Sequence, residues 1–554
     1  MANSFLESVD AEDRRVALRD RAVQIGRHPS NDIVLQDDLA SRYHCVVEPA
    51  DKGAFRVRDL GSRNGTYANN QKVNDHVLAS GDVIKVGTHE FRFRVVERPA
   101  RNELERTRTG SAAPSRTAPV AFPGEDLAGA STEWVRELAE TIDQLPDDRT
   151  LDHHAISVID ASGQVSQALQ GKAPGSVAAK LCLLLAARSR ATDIHIEPKE
   201  NSVVLRIRVD GQMITITRIP IDVGRLMLGL IRTACHIKET GRDAIMDGHF
   251  SARFGDRRVD YRASFTPAMQ GQKLVLRVLD LRNSPCALAE LGFNAHMLER
   301  IRSVCAASQG MVLVSGPTGS GKTTTLYNCM RAIDREQRNV ITIEDPVEYA
   351  LDGVTQIPVD DQHGKDFNAL LRSVLRQDPD VILVGEIRDE ETARTAMRAA
   401  MTGHLVFSTV HAKDTISSIF RLLDLGVEPF LVANSMNLVV AQRLVRSLCQ
   451  ECKQPLTLKP GVATKMGRYA QGVSHTYGPV GCERCLKTGY VGRQAVFEML
   501  DFNDDLRDVV LNQPTIQAMK EAIAGEIFTS LQQSGWQLAV RGLTSLEEVE
   551  RTVS

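Results

Sequence analysis

The stretch that most constrains this chain runs from Met311 to Leu326 and reads MVLVSGPTGSGKTTTL. An apolar run is followed by a glycine-rich turn and then by a helix-forming segment, the strand–loop–helix order of a nucleotide phosphate loop. Glycines let backbone N–H groups converge on a phosphate, Lys322 brings a cation to the phosphate oxygens, and the Thr323 hydroxyl can ligate Mg²⁺. An ordinary glycine-rich turn is the alternative, which the complete pattern disfavours. The predicted ATP and Mg²⁺ contacts are Gly316, Pro317, Thr318, Gly319, Ser320, Gly321, Lys322, Thr323 and Thr324.

The size and charge of the chain narrow the classes of protein it can be. Its 554 residues suffice for about three or four domains. With 67 basic and 70 acidic residues the net charge is only −3, so no overall field draws the chain to nucleic acid or to an anionic membrane. No apolar run has the roughly 18 residues that a membrane helix needs. Ten cysteines, four of them in C-x-x-C pairs, with no signal peptide suit a reducing compartment. We therefore expect a cytoplasmic protein that binds no nucleic acid and reaches a membrane only through partners.

The first hundred residues have the pattern of a small β-sandwich. Short alternating apolar runs between Arg14 and Val96 are separated by turns of glycine, asparagine and aspartate. The turns carry polar motifs in a fixed order: Gly26-Arg27, Ser41-Arg42, His44 and Gly61-Ser62-Arg63-Asn64-Gly65-Thr66. These motifs resemble forkhead-associated (FHA) domains over about residues 10–97. Asn70 departs from that family, which often has glycine after the asparagine matched by Asn69, so the turn there is expected to differ in shape.

The resemblance to FHA domains implies a phosphothreonine pocket. By that likeness Arg27, Ser41 and Arg42 hold the phosphate, Asn64 holds the peptide backbone, and His44 braces the loops. A phosphate with nearly two negative charges needs such fixed cationic and hydroxyl donors. The alternative is that Arg27 and Ser41 only brace the loops of a sandwich that binds its partner through another face.

A linker is predicted for residues 98–125, which lack periodicity and are rich in Ala, Arg, Pro, Ser and Thr. Its composition predicts a disordered tether. Three threonines beside arginines, Thr107, Thr109 and Thr117, suggest the hypothesis that a phosphorylated linker docks on the FHA pocket; an inert spacer is the alternative. Residues 126–170 are predicted to form a helical connector, with an amphipathic helix from Glu133 to Leu145.

Residues 171–285 are predicted to form a second, α/β domain. Three phrases resemble the N-terminal lobe of secretion and pilus-assembly ATPases: TDIHIEP (192–198), RVDG (208–211) and VDYR…LVLRVLD (259–280). The resemblance implies that Arg262 and Arg277, fifteen positions apart, reach the triphosphate from this lobe. From the residues alone, both could be surface ends of strands. Asp193, His195 and Glu197 alternate on one strand, and we assign no metal to them.

Residues 286–447 contain three further apolar strands that end in polar groups: NVITIEDPVEY (339–349), DPDVILVGEIRD (378–389) and GHLVFSTVHAKD (403–414). Alternating strands and helices predict a parallel sheet, whose ligands bind at the carboxyl ends of the strands. With the phosphate loop, these blocks resemble in order the Walker A, aspartate, Walker B and histidine boxes of type II secretion and type IV pilus assembly ATPases. The likeness implies a RecA-like P-loop core.

The resemblance also implies roles for individual residues of these boxes. Glu344 is predicted to activate the attacking water, Glu386 to belong to the magnesium shell, and His411 to sense the γ-phosphate. The sequence does not decide whether Glu344 and Glu386 exchange these roles. His404 is a weaker candidate, because a lone histidine after a strand is usually structural.

Four cysteines predict a zinc site in residues 448–490. Cys449 and Cys452 form one C-x-x-C pair, Cys482 and Cys485 form another, and 29 residues separate the pairs. Two such turns can supply four thiolates to tetrahedral Zn²⁺. Four free thiols are the alternative. Within the family that this chain resembles, such a module separates assembly and secretion motors from retraction motors.

The whole chain is thus predicted to be multidomain: an FHA sandwich (1–97), a disordered linker (98–125), a helical connector (126–170), an N-terminal ATPase lobe (171–285), a RecA-like core (286–447), a zinc module (448–490) and a helical C-terminal region (491–554). The resemblance implies a hexameric, Mg²⁺-dependent ATPase that drives an inner-membrane platform protein of a secretion system or pilus. The FHA domain implies recruitment or regulation by a phosphothreonine-containing partner. Alternatives are a phospho-dependent scaffold with a nucleotide switch, and a DNA-translocating or conjugation ATPase.

Overall fold

The computed structural model describes residues 3–8, 15–18, 22–28, 31–35, 37–50, 55–96, 133–146, 156–238, 244–525 and 527–553. Two compact units make up the chain, Met1–Ala118 and Pro119–Ser554. The predicted linker (98–125), with Thr107, Thr109 and Thr117, lies outside the described residues, as does the start of the connector.

The first unit is the predicted all-β sandwich. Its strands are β1 (Asn3–Ser8), β2 (Arg15–Leu18), β3 (Val23–Gly26), β4 (Ile33–Val34), β5 (Cys45–Pro49), β6 (Phe55–Asp59), β7 (Thr66–Ala68), β8 (Gln71–Val73), β9 (Asp75–Leu78), β10 (Val83–Val86) and β11 (His89–Val96). They form a six-stranded sheet, β2-β1-β11-β10-β7-β8, and a five-stranded sheet, β4-β3-β5-β6-β9. Apolar side chains from both sheets, such as Ile25, Val47, Ile84 and Phe93, fill the space between them.

The β7–β8 hairpin accommodates the departure noted at Asn70. Asn69 and Asn70 form its two-residue loop with φ angles of 49° and 67°. Two successive left-handed residues give the turn whose twist matches a hairpin, and asparagine tolerates that conformation better than most residues. Asparagine thus adopts the left-handed conformation for which glycine is the usual choice.

The second unit begins with an antiparallel lobe. Its elements are α1 (Glu133–Gln144), β12 (Ile156–Ile159), α2 (Pro174–Ser189), β13 (Asp193–Pro198), β14 (Ser202–Val209), β15 (Gln212–Pro220), α3 (Ile221–Ala234), β16 (Met246–Phe254), β17 (Arg257–Ala268) and β18 (Gly271–Leu279). The sheet order is β12-β16-β17-β18-β13-β14-β15. Helix α2 is apolar on nearly every side and is buried along most of its length. Sequence reasoning missed β12, a four-residue strand that pairs with β16 and extends the sheet into the predicted connector.

The lobe that carries the phosphate loop alternates strands and helices as predicted. In chain order it contains α4 (Ala295–Cys305), β19 (Gly310–Ser315), α5 (Lys322–Ala332), β20 (Val340–Glu344), β21 (Thr355–Pro358), α6 (Phe367–Val374), β22 (Val381–Val384), α7 (Glu390–Met401), β23 (Leu405–Val410), α8 (Thr415–Asp424), α9 (Pro429–Ser435) and β24 (Met436–Leu448).

The remaining elements are β25 (Gln454–Thr457), α10 (Pro460–Met466), β26 (His475–Gly478), β27 (Tyr490–Asp501), α11 (Asp504–Asn512), α12 (Ile516–Ala522), α13 (Leu531–Val540) and α14 (Leu546–Val553). The main sheet has the order β21-β20-β22-β23-β19-β24-β27; every neighbouring pair is parallel except β24 and β27. Among the described residues, no helix is both long and apolar enough to cross a membrane.

Candidate functional site

The phosphate loop connects the fully buried strand β19 to helix α5. Gly316, Gly319 and Gly321 all have positive φ angles, of 153°, 78° and 89°. A Cβ atom on Gly316 would lie 2.5 Å from the Ser320 Oγ and 2.6 Å from the Gln442 carbonyl oxygen, so a side chain there would collide with its surroundings. All three glycines are therefore favoured by their backbone conformation, and Gly316 is also required by the space around it.

The loop has the properties that a triphosphate and Mg²⁺ require. The Oγ atoms of Ser315 and Ser320 are buried and have no hydrogen-bond partner in the described part of the chain. Lys322 Nζ donates to the carbonyl oxygens of Gly316 (2.9 Å) and Pro317 (3.3 Å), which folds its ammonium group over the loop. Burial and the nearby charge of Arg443 lower the pKa of Lys322. Thr323 is exposed in the first turn of α5, where its hydroxyl can reach a metal ion.

Glu344, the last residue of β20, lies in a buried hydrogen-bond network. Its carboxylate is only 4% exposed. It accepts hydrogen bonds from the Tyr327 hydroxyl, from Thr342 Oγ1 (2.6 Å) and from Gln356 Nε2 (3.0 Å). Tyr327 lies on α5, so this carboxylate ties the helix of the phosphate loop to the strand beside it. Three donors and near-complete burial leave Glu344 little room to contact a water molecule.

Glu348 has the accessibility that Glu344 lacks. It follows the same strand by four residues, and its side chain is 32% exposed. Glu348 Oε2 lies 3.7 Å from Arg262 Nη1, and the same guanidinium donates to the Val347 carbonyl at 2.9 Å. The Glu348 backbone N–H donates to the Tyr327 hydroxyl at 3.3 Å. Glu348 stands in the same sequence box (339–349) as Glu344, but no role was assigned to it from the sequence.

The two predicted arginines are direct cross-strand neighbours on β17 and β18. Arg262 reaches across to the loop that carries Glu348, as described above. Arg277 is 63% exposed and lies 3.8 Å from Asp193. One arginine of the pair thus already touches the phosphate-loop lobe, and the other remains accessible at the surface of the antiparallel lobe.

Glu386 and His411 lie together after β22 and β23. His411 Nε2 is 3.5 Å from Glu386 Oε2, and Arg388 forms an ion pair with the same carboxylate. Partial burial, followed by the charges of Lys322 and Arg388, lowers the pKa of His411, which favours its neutral imidazole. His404, the weaker candidate, is half-buried, and its Nδ1 lies 3.0 Å from the Ala399 carbonyl oxygen at the end of α7. That contact agrees with a structural role.

Two further residues beside the loop were missed from the sequence. Gln442 on β24 is 2% exposed; it accepts from Thr325 Oγ1 at 2.7 Å and donates to the Ser320 carbonyl at 2.7 Å. Arg443 is 9% exposed and donates to the carbonyl oxygens of Gln442 and Lys413. The only sequence signal was a polar Gln-Arg pair between two short apolar runs, 438–441 and 444–445.

The four predicted zinc ligands converge at the ends of β24 and β27. Their Sγ atoms all lie within 4.8 Å of one another. The Cys449–Cys482, Cys452–Cys485 and Cys482–Cys485 Sγ separations are 3.8, 3.9 and 3.7 Å. Tetrahedral Zn²⁺ with Zn–S distances of about 2.3 Å places its sulfurs about 3.8 Å apart. The spacing therefore fits one zinc ion and is far too long for disulfide bonds.

Backbone groups also surround these sulfurs. Gly481 N–H donates to Cys452 Sγ at 3.3 Å, and the N–H groups of Cys482 and Gly489 donate to Cys485 Sγ at 3.1 and 3.2 Å. Such donors stabilise thiolate charge and orient metal ligands. The cluster has the donors of a closed structural metal site.

In the sandwich, the residues that are predicted to bind phosphothreonine lie together at one end. Ser41 Oγ accepts from the Arg63 backbone N–H at 3.0 Å, and Asn64 Nδ2 donates to the Leu39 carbonyl at 2.8 Å. His44 is fully buried; its ring nitrogens contact the Ser41 N–H (3.0 Å) and the Gly65 carbonyl oxygen (3.2 Å). His44 thus links the two loops, as the resemblance implied.

The cationic residues of this end are accessible to a ligand. Arg27 is about half exposed and forms a 2.8 Å ion pair with Asp38, whose side chain is almost fully exposed. Arg42 is exposed. Exposed ion pairs are weak, so a phosphate dianion can displace Asp38 from Arg27.

Comparisons with known proteins agree with this architecture. A family described as "Type II/IV secretion system protein" matches residues 170–551, and the FHA domain family matches residues 23–87. A type IV pilus assembly ATPase PilB of Myxococcus xanthus is 40% identical over 378 residues, which are 67% of this chain and 66% of PilB. A type II secretion system protein E of Pectobacterium carotovorum is 40% identical over 366 residues, or 66% of this chain and 73% of that protein.

One solved structure shares the fold. The Legionella pneumophila ATPase DotB superposes with a TM-score of 0.51 at 21% identity, covering 68% of this chain and 95% of DotB. A parallel sheet with a phosphate loop, joined to a lobe that supplies an arginine, defines the second unit as a P-loop ATPase of the RecA-like type. This chain belongs to the type II/IV secretion system ATPase family and carries an FHA domain ahead of the ATPase domain in the sequence.

Proposed function

We propose that this chain is an ATP-hydrolysing motor that powers assembly of a secretion pseudopilus or a type IV pilus. One observation carries the proposal: Arg262 of the antiparallel lobe reaches the acidic loop after β20, next to the helix of the phosphate loop. An arginine from one lobe that meets the acidic loop of another can couple nucleotide chemistry to lobe movement. The relatives are named as a pilus assembly ATPase and a type II secretion protein, which supports a role in assembly.

The phosphate loop binds and orients the triphosphate. Lys322 neutralises charge on its oxygens, and the loop N–H groups and the Thr323 hydroxyl surround it. Bound Mg²⁺ would neutralise charge that develops on the phosphate during transfer. Glu386 lies with His411 after neighbouring strands, so it would belong to the outer shell of that ion, while an N–H of the His411 imidazole can donate a hydrogen bond to the γ-phosphate.

Among the acidic residues, we assign activation of the attacking water to Glu348 and a positioning role to Glu344. A general base must be able to reach a water molecule, and Glu348 is accessible, whereas Glu344 is held by three donors. Glu344 instead fixes Tyr327, which in turn receives the Glu348 backbone N–H.

The working assembly is proposed to be a homo-hexamer that acts on an inner-membrane platform protein from the cytoplasmic side. Exposed Arg277 is available to a neighbouring nucleotide site in such an assembly. The cysteine cluster is proposed to hold one structural Zn²⁺, and the FHA domain to recruit or regulate the motor through a phosphothreonine-containing partner.

Replacing Arg262 by alanine is expected to lower kcat for ATP about 100-fold or more, because the arginine is proposed to stabilise charge in the transition state. Steady-state phosphate release from the full-length chain is the measurement. Arg258→Ala, on the same strand but paired with Asp260 within its own lobe, is the matched control and is expected to retain activity. Unchanged turnover in Arg262→Ala would contradict the motor proposal.

Replacing Arg27 or Ser41 by alanine is expected to weaken phosphothreonine peptide binding about 10- to 100-fold, the effect of losing a charge-assisted hydrogen bond. Titration of the full-length chain with peptides phosphorylated at the Thr107, Thr109 and Thr117 sequences, and with an unbiased phosphothreonine library, measures this. The unphosphorylated peptides are the control. Equal affinity for phosphorylated and unphosphorylated peptides would show that the sandwich binds partners through another face.

A further inference from the structure

The strand register places the ends of β19 and β23 beside the middle of β24. Ser315, the last residue of β19, pairs with Val410 of β23 on one side and with Ala441 of β24 on the other. The next residue on each strand is therefore Gly316 of the phosphate loop, His411 and Gln442. Residues of β24 beyond Ala441 run beside the nucleotide site and no longer pair with β19.

Gln442 holds the phosphate loop at three points. Its amide nitrogen donates to the Ser320 carbonyl, and its amide oxygen accepts from the Thr325 hydroxyl, both at 2.7 Å. Its backbone carbonyl oxygen would lie only 2.6 Å from a Cβ atom on Gly316, so the loop backbone packs closely against it. Gln442 therefore contacts the start of the phosphate loop through its backbone, and the end of the loop and the following helix through its buried side chain.

Arg443 links this arrangement to the loop that carries His411. Its Nη1 donates to the Gln442 carbonyl at 2.9 Å, and its Nη2 donates to the Lys413 carbonyl at 2.6 Å. Lys413 follows His411 by two residues and precedes the N-cap of α8. Both acceptors are backbone carbonyls, so the guanidinium fixes the loop that follows His411 against strand β24. Only arginine has a planar fork that can span two such acceptors.

We propose that Gln442 and Arg443 are positioning residues for ATP hydrolysis: Gln442 sets the phosphate loop, and Arg443 sets the His411 loop against it. The inference rests on the proposed ATPase function. It predicts different defects for the two residues. Loss of the Gln442 amide leaves the phosphate loop less well fixed. Loss of the Arg443 guanidinium leaves the phosphate loop formed and displaces His411, which is proposed to contact the γ-phosphate.

The test compares Gln442→Leu, Arg443→Lys and Arg443→Met in the full-length chain. We expect Gln442→Leu to raise the KM for ATP and the Kd of a non-hydrolysable ATP analogue about tenfold or more, because leucine removes both buried hydrogen bonds of the amide. Both Arg443 variants are expected to keep the Kd and to lower kcat about tenfold, because the lysine ammonium cannot span both carbonyls. The matched control is Asn437→Ala, which removes an amide that binds the Gln309 carbonyl at the opposite end of β24 and should change neither quantity.

The outcomes separate the alternatives. Full activity in Arg443→Lys with loss in Arg443→Met would show that only the charge matters and would overturn the proposal for Arg443. If the Gln442 and Arg443 variants melt at lower temperatures but keep normal kcat and Kd per folded molecule, both residues have only a structural role. If the unmodified chain binds the analogue but does not hydrolyse ATP, the proposed function fails while the Kd of Gln442→Leu against that of Asn437→Ala still decides the role of Gln442. A chain that binds no nucleotide overturns both proposals.

Discussion

A chain with Glu348→Gln is expected to bind ATP normally and to hydrolyse it about 10²- to 10⁴-fold more slowly, the range that general-base catalysis contributes. Glutamine keeps the size of the side chain and the contact with Arg262 but cannot accept a proton from water. Single-turnover phosphate release separates this defect from slow product release. Binding of an ATP analogue provides the control that the nucleotide site is intact.

Glu344→Gln is the informative comparison, since it alters the neighbouring carboxylate in the same way. Here the amide replaces an acceptor with a donor in a network of three donors, so we expect a loss of stability of about 1–3 kcal/mol. Its kcat should fall less than that of Glu348→Gln. The reverse order, with Glu344→Gln inactive and Glu348→Gln active, would return the role of base to Glu344, as the sequence first suggested.

Loss of the metal is the second change with a large expected effect. Structural zinc contributes about 10–16 kcal/mol of apparent binding energy in zinc-finger peptides, and without it four sulfurs would be left within 4.8 Å of one another. We expect the purified chain to hold one Zn²⁺ per protomer by elemental analysis. Chelation or Cys482→Ser should lower the melting temperature and expose residues 448–490 to protease.

The exposed Cys286 supplies a matched control for this experiment, because it is a free thiol outside the cluster. Cys286→Ser is expected to leave metal content and melting temperature unchanged. A chain that contains no zinc as purified, and whose unfolding is unaffected by Cys482→Ser, would show that the four thiols form no metal site.

Local patterns were sufficient to predict the phosphate loop, the sandwich and the cysteine cluster. In each case the chemistry depends on residues close in sequence, such as the glycines around Lys322 or the pairs beginning at Cys449 and Cys482. The order of strands and helices likewise predicted a parallel sheet, since that alternation has few topological solutions.

Features that depend on distant packing could not be read from the sequence. The letters of the box at 339–349 do not distinguish Glu344 from Glu348; the difference arises because Tyr327, from a separate helix, covers one of them. The role of Gln442 follows only from the strand register, which places Ala441 beside Ser315 and so brings Gln442 next to the phosphate loop. The short strand β12 has too few residues to show a period and exists because β16 offers it an edge.

Strand β24 runs past the phosphate loop and ends at Leu448, immediately before Cys449. Strand β27 begins just after the cysteine cluster and pairs with β24 in the antiparallel direction. Arg446, midway, pairs with buried Glu548 and with Gln212 of the antiparallel lobe. The paired strands β24 and β27 therefore connect the phosphate loop to the cysteine cluster. Because the two proposed sites share these strands, removal of the proposed zinc ion is expected to weaken ATP binding as well as to destabilise residues 448–490.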